Sequence, residues 1–188
     1  MHGVADGRER VQRSDAFVRD AMSAWGDSVL RLALAQTGSR ADAEDVYQDV
    51  FVSLACSPTK FESDEHLKAW LLRVTINRCH DLRRTWWWRH IASMEELDRE
   101  PSTSEDPTSD SVVGGRGHPE DSCPPLRDAL RRLPERYRTP VFLFYVEEMS
   151  CARIAEVAGC RESTVRTRLQ RGREKLRKTL EGLDYEAI

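Results

Sequence analysis

The chain has 188 residues, room for one ordinary domain or two small ones, with 39% hydrophobic and 32% charged residues. That balance excludes both a single large core and a wholly disordered chain. The net charge of −3 divides into zero over residues 1–92, −7 over 93–123 and +4 over 124–188, so three segments of different electrostatic character share the molecule.

Residues 1–13 are expected to be a flexible N-terminus. Ser14 then caps a helix with Phe17, Ala21, Trp25, Val29 and Leu32 on one face, ended by Gly38. Ser39 opens a second helix, with Asp42 as a variant capping box, a buried stripe of Ala43, Val46, Tyr47, Val50 and Leu54, and Pro58 as its stop. A loop from Ser57 to Glu62 follows. Ser63 caps a third helix whose first turn carries Asp64 and Glu65, as the helix dipole prefers. It runs unbroken to about Arg89, roughly 39 Å at 1.5 Å per residue. On its wheel Leu67, Leu71 and Val74 share a face, Leu72, Ile76 and Cys79 form a second apolar face, and Arg73, Asn77, His80 and Arg84 make a polar stripe. Two-sided packing follows. Trp86, Trp87 and Trp88, flanked by Arg83, Arg84 and Arg89, point about 100° apart and cannot share one core. They suit base stacking or a protein interface; a frayed helix end folding back on the first helix is the structural alternative.

Residues 93–123 are rich in Ser, Asp, Glu, Pro and Gly, with little beyond Leu97, Val112 and Val113 as core material. Such a stretch cannot offset its own ordering entropy, so it reads as a flexible acidic linker between an N-terminal block, 14–92, and a C-terminal block, 124–188. In the second block Leu126, Leu130 and Leu133 mark a short helix ended by Pro134. The next, PERYRTPVFLFYVEE, contains Pro140, which should kink it or start it late. Ser150 caps a helix with Ile154, Ala155 and Val157, Gly159 permits a tight turn, and Ser163 or Glu162 opens a last helix through Val165, Leu169 and Leu176. No strand alternation is evident. The fold class is all-α, in two small helical domains.

The strongest local pattern is Ala155, then Gly159, then Val165: a small residue for close packing, a turn glycine, and a branched apolar anchor, as a helix-turn-helix requires. The second helix carries 8 basic against 2 acidic side chains between Arg161 and Lys178. Its inward apolar residues leave Arg166, Thr167, Gln170, Arg171 and Arg173 largely outward, where arginine suits guanine edges and Lys or Arg suits phosphates. A solvated basic helix without a ligand is the plain alternative. In the first block Asp42, Asp45, Gln48 and Asp49 face away from the apolar stripe; periodicity leaves open a solvated face or a dock for a basic partner.

The segments ADAEDVYQDVFVSL, FESDEHLKAWLLRVTINRCHDLRR and LRRLPERYRTPVFLFYVEEMSCARIAEVAGCRESTVRTRLQRGREKL resemble bacterial RNA polymerase sigma factors of the extracytoplasmic-function class. The first two are similar to the promoter-melting domain and the third to the C-terminal helix-turn-helix domain. The resemblance implies a transcription initiation factor that binds core RNA polymerase and promoter DNA. It assigns Asp45, Gln48, Asp49 and Val52 to docking on the polymerase clamp, and Phe61, in the loop from Ser57 to Glu65, to capture of a flipped base of the minus-ten element. Trp70, Arg73, Asn77 and Arg84 line the melted strand in this reading. Arg166, Thr167, Gln170 and Arg171 enter the major groove at the minus-thirty-five element, with Arg173 and Lys178 further along. The WWW run departs from the Arg/Lys-rich segment common in the family, Pro140 interrupts the helix before the helix-turn-helix, and Gln170 stands at a variable, specificity-setting position. Restraint by an anti-sigma factor is a further expectation of the class.

Promoter opening needs no catalytic residue in the factor. It needs a base held outside the stack against an unpairing cost of a few kcal/mol. The −7 linker suits a polyanion lying in basic polymerase channels, or simply a solubilising spacer. Two other classes compete. A stand-alone helix-turn-helix regulator explains the basic helix but not the N-terminal segments. An enzyme is disfavoured: adjacent Cys79 and His80 chelate poorly from a helix, Cys151 and Cys160 lack a nearby ligand couple, and no Ser/His/Asp arrangement or phosphate-binding Gly loop is present. No cofactor, metal, small-molecule substrate or membrane insertion is expected. No run of about eighteen apolar residues exists, the N-terminus has no signal-peptide pattern, and the five scattered cysteines form no CxxC, so a reduced, cytoplasmic setting is expected.

Overall fold

Seven helices follow one another in the computed structural model, which describes residues 13–94 and 124–186: α1 (Asp15–Thr37), α2 (Arg40–Ala55), α3 (Asp64–Met94), α4 (Pro124–Arg132), α5 (Glu135–Tyr145), α6 (Cys151–Ala158) and α7 (Glu162–Glu186). No strand occurs among the described residues. The first twelve residues, the acidic linker from residue 95 on, and the side chains of Trp86, Trp87 and Trp88 lie outside the description.

Side-chain oxygens set the helix starts. Ser14, Ser39, Ser63 and Ser150 accept from the amides of Phe17, Asp42, His66 and Arg153, each three residues on. Each bond satisfies one of the donors that a helix leaves orphaned at its N-terminus. Gly38 and Gly159 end α1 and α6 in the left-handed region, at φ 72° and 61°. Glu148, in the turn before α6, adopts φ 53°, a conformation usually left to glycine. Pro140 neither delays nor ends α5, which starts at Glu135 and runs past it. The short α4 closes at Arg132, so Leu133 anchors from the following turn, and Leu126 is exposed rather than buried. The last helix opens at Glu162, one residue before Ser163.

Two apolar clusters hold the helices. The first joins Val29 and Ala33 of α1, Val46, Val50 and Leu54 of α2, and Leu67, Leu71 and Cys79 of α3. The second collects Tyr137, Val141, Phe142 and Leu143 of α5 with Ile154, Val165 and Leu169, and it also takes in Leu32 of α1 and Ala69, Leu72 and Ile76 of α3. The two-sided packing expected of α3 is present, with one reassignment. Cys79 joins the Leu71 side, because it lies about 20° from Leu72 in the direction of Thr75 and Leu71. The far face of α3 packs on the C-terminal helices. The division of the chain at the linker therefore does not divide the core.

Polar contacts follow the same seam. Ser28 and Gln36, eight residues apart on α1, are both buried and donate to Glu147 (2.8 Å) and Thr139 (2.9 Å). The order is reversed along the two partners, so α1 lies antiparallel to the α5 segment. Arg138 donates to the carbonyls of Ala35 and Gln36 at 3.0 and 3.3 Å, and Arg131 to that of Gly38 at 3.0 Å.

Candidate nucleic-acid interface

The outer face of α2 is built by subtraction. Val46, Val50 and Leu54 turn inward, which leaves Asp45, Gln48, Asp49 and Val52 exposed together, and Val52 keeps 63% of its surface. Val52 stands one turn beyond Asp49, so the face is anionic toward its N-terminal end and apolar at its C-terminal end, suited to a basic protein surface with an adjoining apolar patch.

The loop before α3 is an aromatic nest. Phe61 is half-buried, stacked on Phe17 with ring centroids 6.3 Å apart and edge-on to His66 and Trp70 at 5.6 Å each. The Arg13 guanidinium lies 4.7 Å from the centroids of both phenylalanine rings and donates to the Thr59 carbonyl. Phe61 thus rests on its own domain, while Trp70 is half-buried beside it. Next to this nest a cleft of about 410 Å³ opens between Glu62, His66, Trp70 and Arg73 on one side and Arg153 and Glu156 of α6 on the other.

Further along α3 the polar stripe is solvent-facing at Arg73, Asn77, His80 and Arg84. Its members have different partners. Arg73 donates to the Glu156 carbonyl of α6, His80 and Arg83 bind the Glu135 carboxylate, Arg84 pairs with Asp81 at 3.2 Å, and Asn77 has an open side. The four residues thus share a stripe but not an environment.

The helix-turn-helix is formed by α6, the turn at Gly159 and α7. Val165 and Leu169 anchor α7 inward at 1% and 5% exposure, which leaves Arg166, Thr167, Gln170 and Arg171 on one outward strip with Arg173 and Lys178 beyond. Arg166 is held by Glu162 at 2.6 Å, and that hydrogen bond and charge raise its pKa. Gln170 donates to Glu174 at 3.2 Å. Both bonds are exposed i to i+4 pairs, the kind a base edge or phosphate displaces at little cost. Gly172 is buried where α7 crosses α5: a Cβ placed there would stand 2.7 Å from a Val141 methyl.

No constellation of three or more His, Cys, Asp or Glu that could hold a metal occurs among the described residues. Burial pushes the Cys79 thiol up to about 12, aided by Glu135 and opposed by Arg83, so it is a core residue and a poor nucleophile. Sequence reasoning missed the contacts that join the two blocks, centred on Glu147. The available signal was the pair of polar residues, Ser28 and Gln36, on the otherwise apolar inner side of α1.

Two families match the chain in the same order as the two blocks: Sigma-70 region 2 over residues 22–89 and Sigma-70, region 4 over residues 125–176. The ECF RNA polymerase sigma factor SigW of Bacillus subtilis is 30% identical over 180 residues, covering 90% of this chain and 91% of that protein. The ECF RNA polymerase sigma factor SigE of Mycolicibacterium smegmatis is 33% identical over 165 residues, 84% of this chain and 62% of its own length. Among solved structures, the sigma factor RpoE bound to the anti-sigma factor NepR from Bartonella quintana superposes with a TM-score of 0.66 at 20% identity, covering 89% of this chain and 98% of that one. CnrH in complex with the cytosolic domain of CnrY gives 0.62 at 22% identity, covering 90% of each. These likenesses extend the all-α fold to both blocks. The chain belongs to the extracytoplasmic-function class of sigma-70 factors, transcription initiation factors that direct RNA polymerase to promoters.

Proposed function

We propose that this factor divides its work among three surfaces. Asp45, Gln48, Asp49 and Val52 on α2 dock on core RNA polymerase. Phe61, Trp70, Arg73, Asn77 and Arg84 hold the melted minus-ten strand. Arg166, Thr167, Gln170 and Arg171 read the minus-thirty-five element, with Arg173 and Lys178 on its flanking phosphates. Residues 14–92 form the docking and melting domain, 124–188 the upstream-reading domain, and 93–123 the connection between them. The factor works in the cytoplasm, supplies binding energy rather than a catalytic group, and is restrained by an anti-sigma protein.

The observation that carries this reading is the exposed strip on α7: four polar positions at spacings of one, three and one stand outward while Val165 and Leu169 are buried beneath them. A helix presented in that way, directly after a glycine turn, is shaped for the major groove. The carboxylates of Asp45 and Asp49 support the docking role, since nothing within the molecule uses them as side-chain ion-pair partners among the described contacts.

Run-off transcription with purified core polymerase tests the whole, and the Asp45→Arg, Asp49→Arg double variant tests the docking face. Both positions are exposed, so the variant folds normally by circular dichroism and loses capture by polymerase. Undiminished capture by the folded variant places the docking face elsewhere.

A further inference from the structure

We propose that Arg13 is a positioning residue for the minus-ten loop: it clamps that loop from the chain ahead of α1 and holds Phe61 where a flipped base can reach it. The inference rests on the functional reading of Phe61 above and adds to it a residue outside both the loop and α3. Arg13 ties three elements together. Its backbone amide donates to the Ala55 carbonyl at the end of α2 at 3.0 Å, and Ser14, the next residue, caps α1. Its guanidinium reaches 46 positions along the chain to donate to the Thr59 carbonyl, and it covers the Phe17 and Phe61 rings at 4.7 Å from each centroid.

Without that side chain the loop has little to hold it. The Ser57 hydroxyl donates to Thr59 Oγ1 and accepts from the Thr59 amide, while the Ser57 amide donates to the Leu54 carbonyl. Those bonds stay within the loop and the end of α2. Pro58 has no amide to give, and Lys60 is exposed. Among the described residues, Arg13 supplies the only hydrogen bond that reaches the stretch from Ser57 to Phe61 from outside the loop and its flanking helices. The arrangement is not the most stable way to cover two rings. The Arg13 Nε is buried and finds no hydrogen-bond partner among the described residues, a cost that an apolar side chain in the same place would avoid. What arginine adds is a plane with donors along its edge, able to cover an aromatic ring and fix a neighbouring carbonyl at once. Phe61 also stands edge-on to Trp70 of α3 at 5.6 Å. A loop that drifts from α1 therefore moves Phe61 relative to the surface assigned to the melted strand, and contacts that act through geometry are sensitive to such shifts.

The test uses the full chain as wild type, Arg13→Ala, Arg13→Lys and Phe61→Ala, each checked for helix content by circular dichroism. The first measurement involves neither polymerase nor promoter. A lysine-specific endoproteinase cuts the loop at the bond between Lys60 and Phe61, and the other three lysines, at 68, 175 and 178, lie within helices. Losing one cation–π pair and one hydrogen bond should raise loop opening, and with it cleavage after Lys60, roughly tenfold in Arg13→Ala. The second measurement is permanganate reactivity of minus-ten thymines on a duplex promoter mapped by run-off transcription. With core polymerase, Arg13→Ala should melt that promoter roughly five- to tenfold less, the low end of what one lost base contact gives, while capture by polymerase is unchanged. Lysine keeps a cation over the rings and a donor for Thr59, so Arg13→Lys should recover most of both effects together. Cleavage after Lys60 that stays at the wild-type rate in Arg13→Ala overturns the clamp. Faster cleavage with normal melting, where Phe61→Ala is defective, overturns it too, because the loop is then held by Arg13 but not positioned by it. Normal melting in Phe61→Ala, beside faster cleavage in Arg13→Ala, removes the functional reading of the loop and leaves the clamp standing.

Discussion

At Glu147 two opposing effects meet. Burial pushes its carboxyl upward, and the hydrogen bonds from Lys68 and Ser28, with the charges of Lys68 and Arg31, outweigh that push and hold it below the usual glutamate range. The groups facing it are Ser28 and Arg31 from α1 and Lys68 from α3. A carboxyl depressed in the folded state contributes stability that is complete above the unfolded value and is lost as pH falls through the folded one. The difference in thermal midpoint between wild type and Glu147→Gln should therefore stay constant above about pH 5 and shrink below it. Calorimetry across pH 3–8 measures this, and a difference that grows on acidification would mean the carboxyl is protonated where it lies. None of this was legible in the sequence. Glu147 stands beside Glu148 in a run that reads as the end of a helix, and its partners are 79 to 119 positions away. Ser28 and Gln36 on an apolar stripe signalled only that something polar would meet α1.

Local rules decided most of the elements. Four serine caps, the glycine turn and the anchors of the helix-turn-helix are short-range features, and each was readable because its chemistry is complete within a few residues. Pro140 does not start the helix late, because a buried helix tolerates one missing amide bond when its surroundings are packed. Gly172 is the converse case. Helix propensity alone favours alanine there by about 1 kcal/mol, yet the new Cβ would press on Val141 at 2.7 Å. Overpacking costs about 1–3 kcal/mol, so Gly172→Ala should be neutral to destabilising by about 2 kcal/mol in urea unfolding; a clear gain in stability would show that α5 and α7 have room to separate. On the opposite face of the same helix, Arg171 and Lys178 are both exposed and differ in place. Arg171 lies in the strip after the first turn, where a recognition helix is deepest in the groove; Lys178 lies two turns on, where it leaves near phosphates. Arg171→Ala should cost about 1–3 kcal/mol and relax preference at one base pair. Lys178→Ala should weaken all sequences alike and lower the salt slope by about one unit. Transcription from a library randomised across the upstream element, at two salt concentrations, separates the two. A uniform loss for Arg171→Ala moves the base-reading strip elsewhere.

For the molecule as a whole, composition divided the chain at an acidic stretch into two helical blocks and gave no sign that the blocks pack on one another. What joins them is long-range: Leu32, Ala69, Leu72 and Ile76 of the first block lie in the same cluster as Leu133, Tyr137, Val141 and Phe142 of the second. Periodicity showed that α3 had two apolar faces and could not say what covered the second. The shared cluster makes a thermodynamic statement, because burying a leucine fully is worth about 1.5–3 kcal/mol, and Leu32 and Leu72 have no remaining exposure. Loss of either block would expose them both. The two blocks should accordingly unfold as one unit, although each matches its own family. The sequence supplies a convenient pair of probes. All five tryptophans, at 25, 70, 86, 87 and 88, belong to the first block, so tryptophan fluorescence follows that block alone, whereas far-ultraviolet circular dichroism follows the helices of both. In wild type the two thermal transitions should coincide, the usual sign of a single cooperative step. In Glu147→Gln, where the pairing of the blocks is weakened from within its most buried contact, they should separate, the fluorescence midpoint parting from that of the helical signal. Coincident transitions in both proteins would show that the apolar cluster suffices to couple the blocks without the carboxylate. Separate transitions already in wild type would show that Leu32 and Leu72 are covered too weakly to couple them at all.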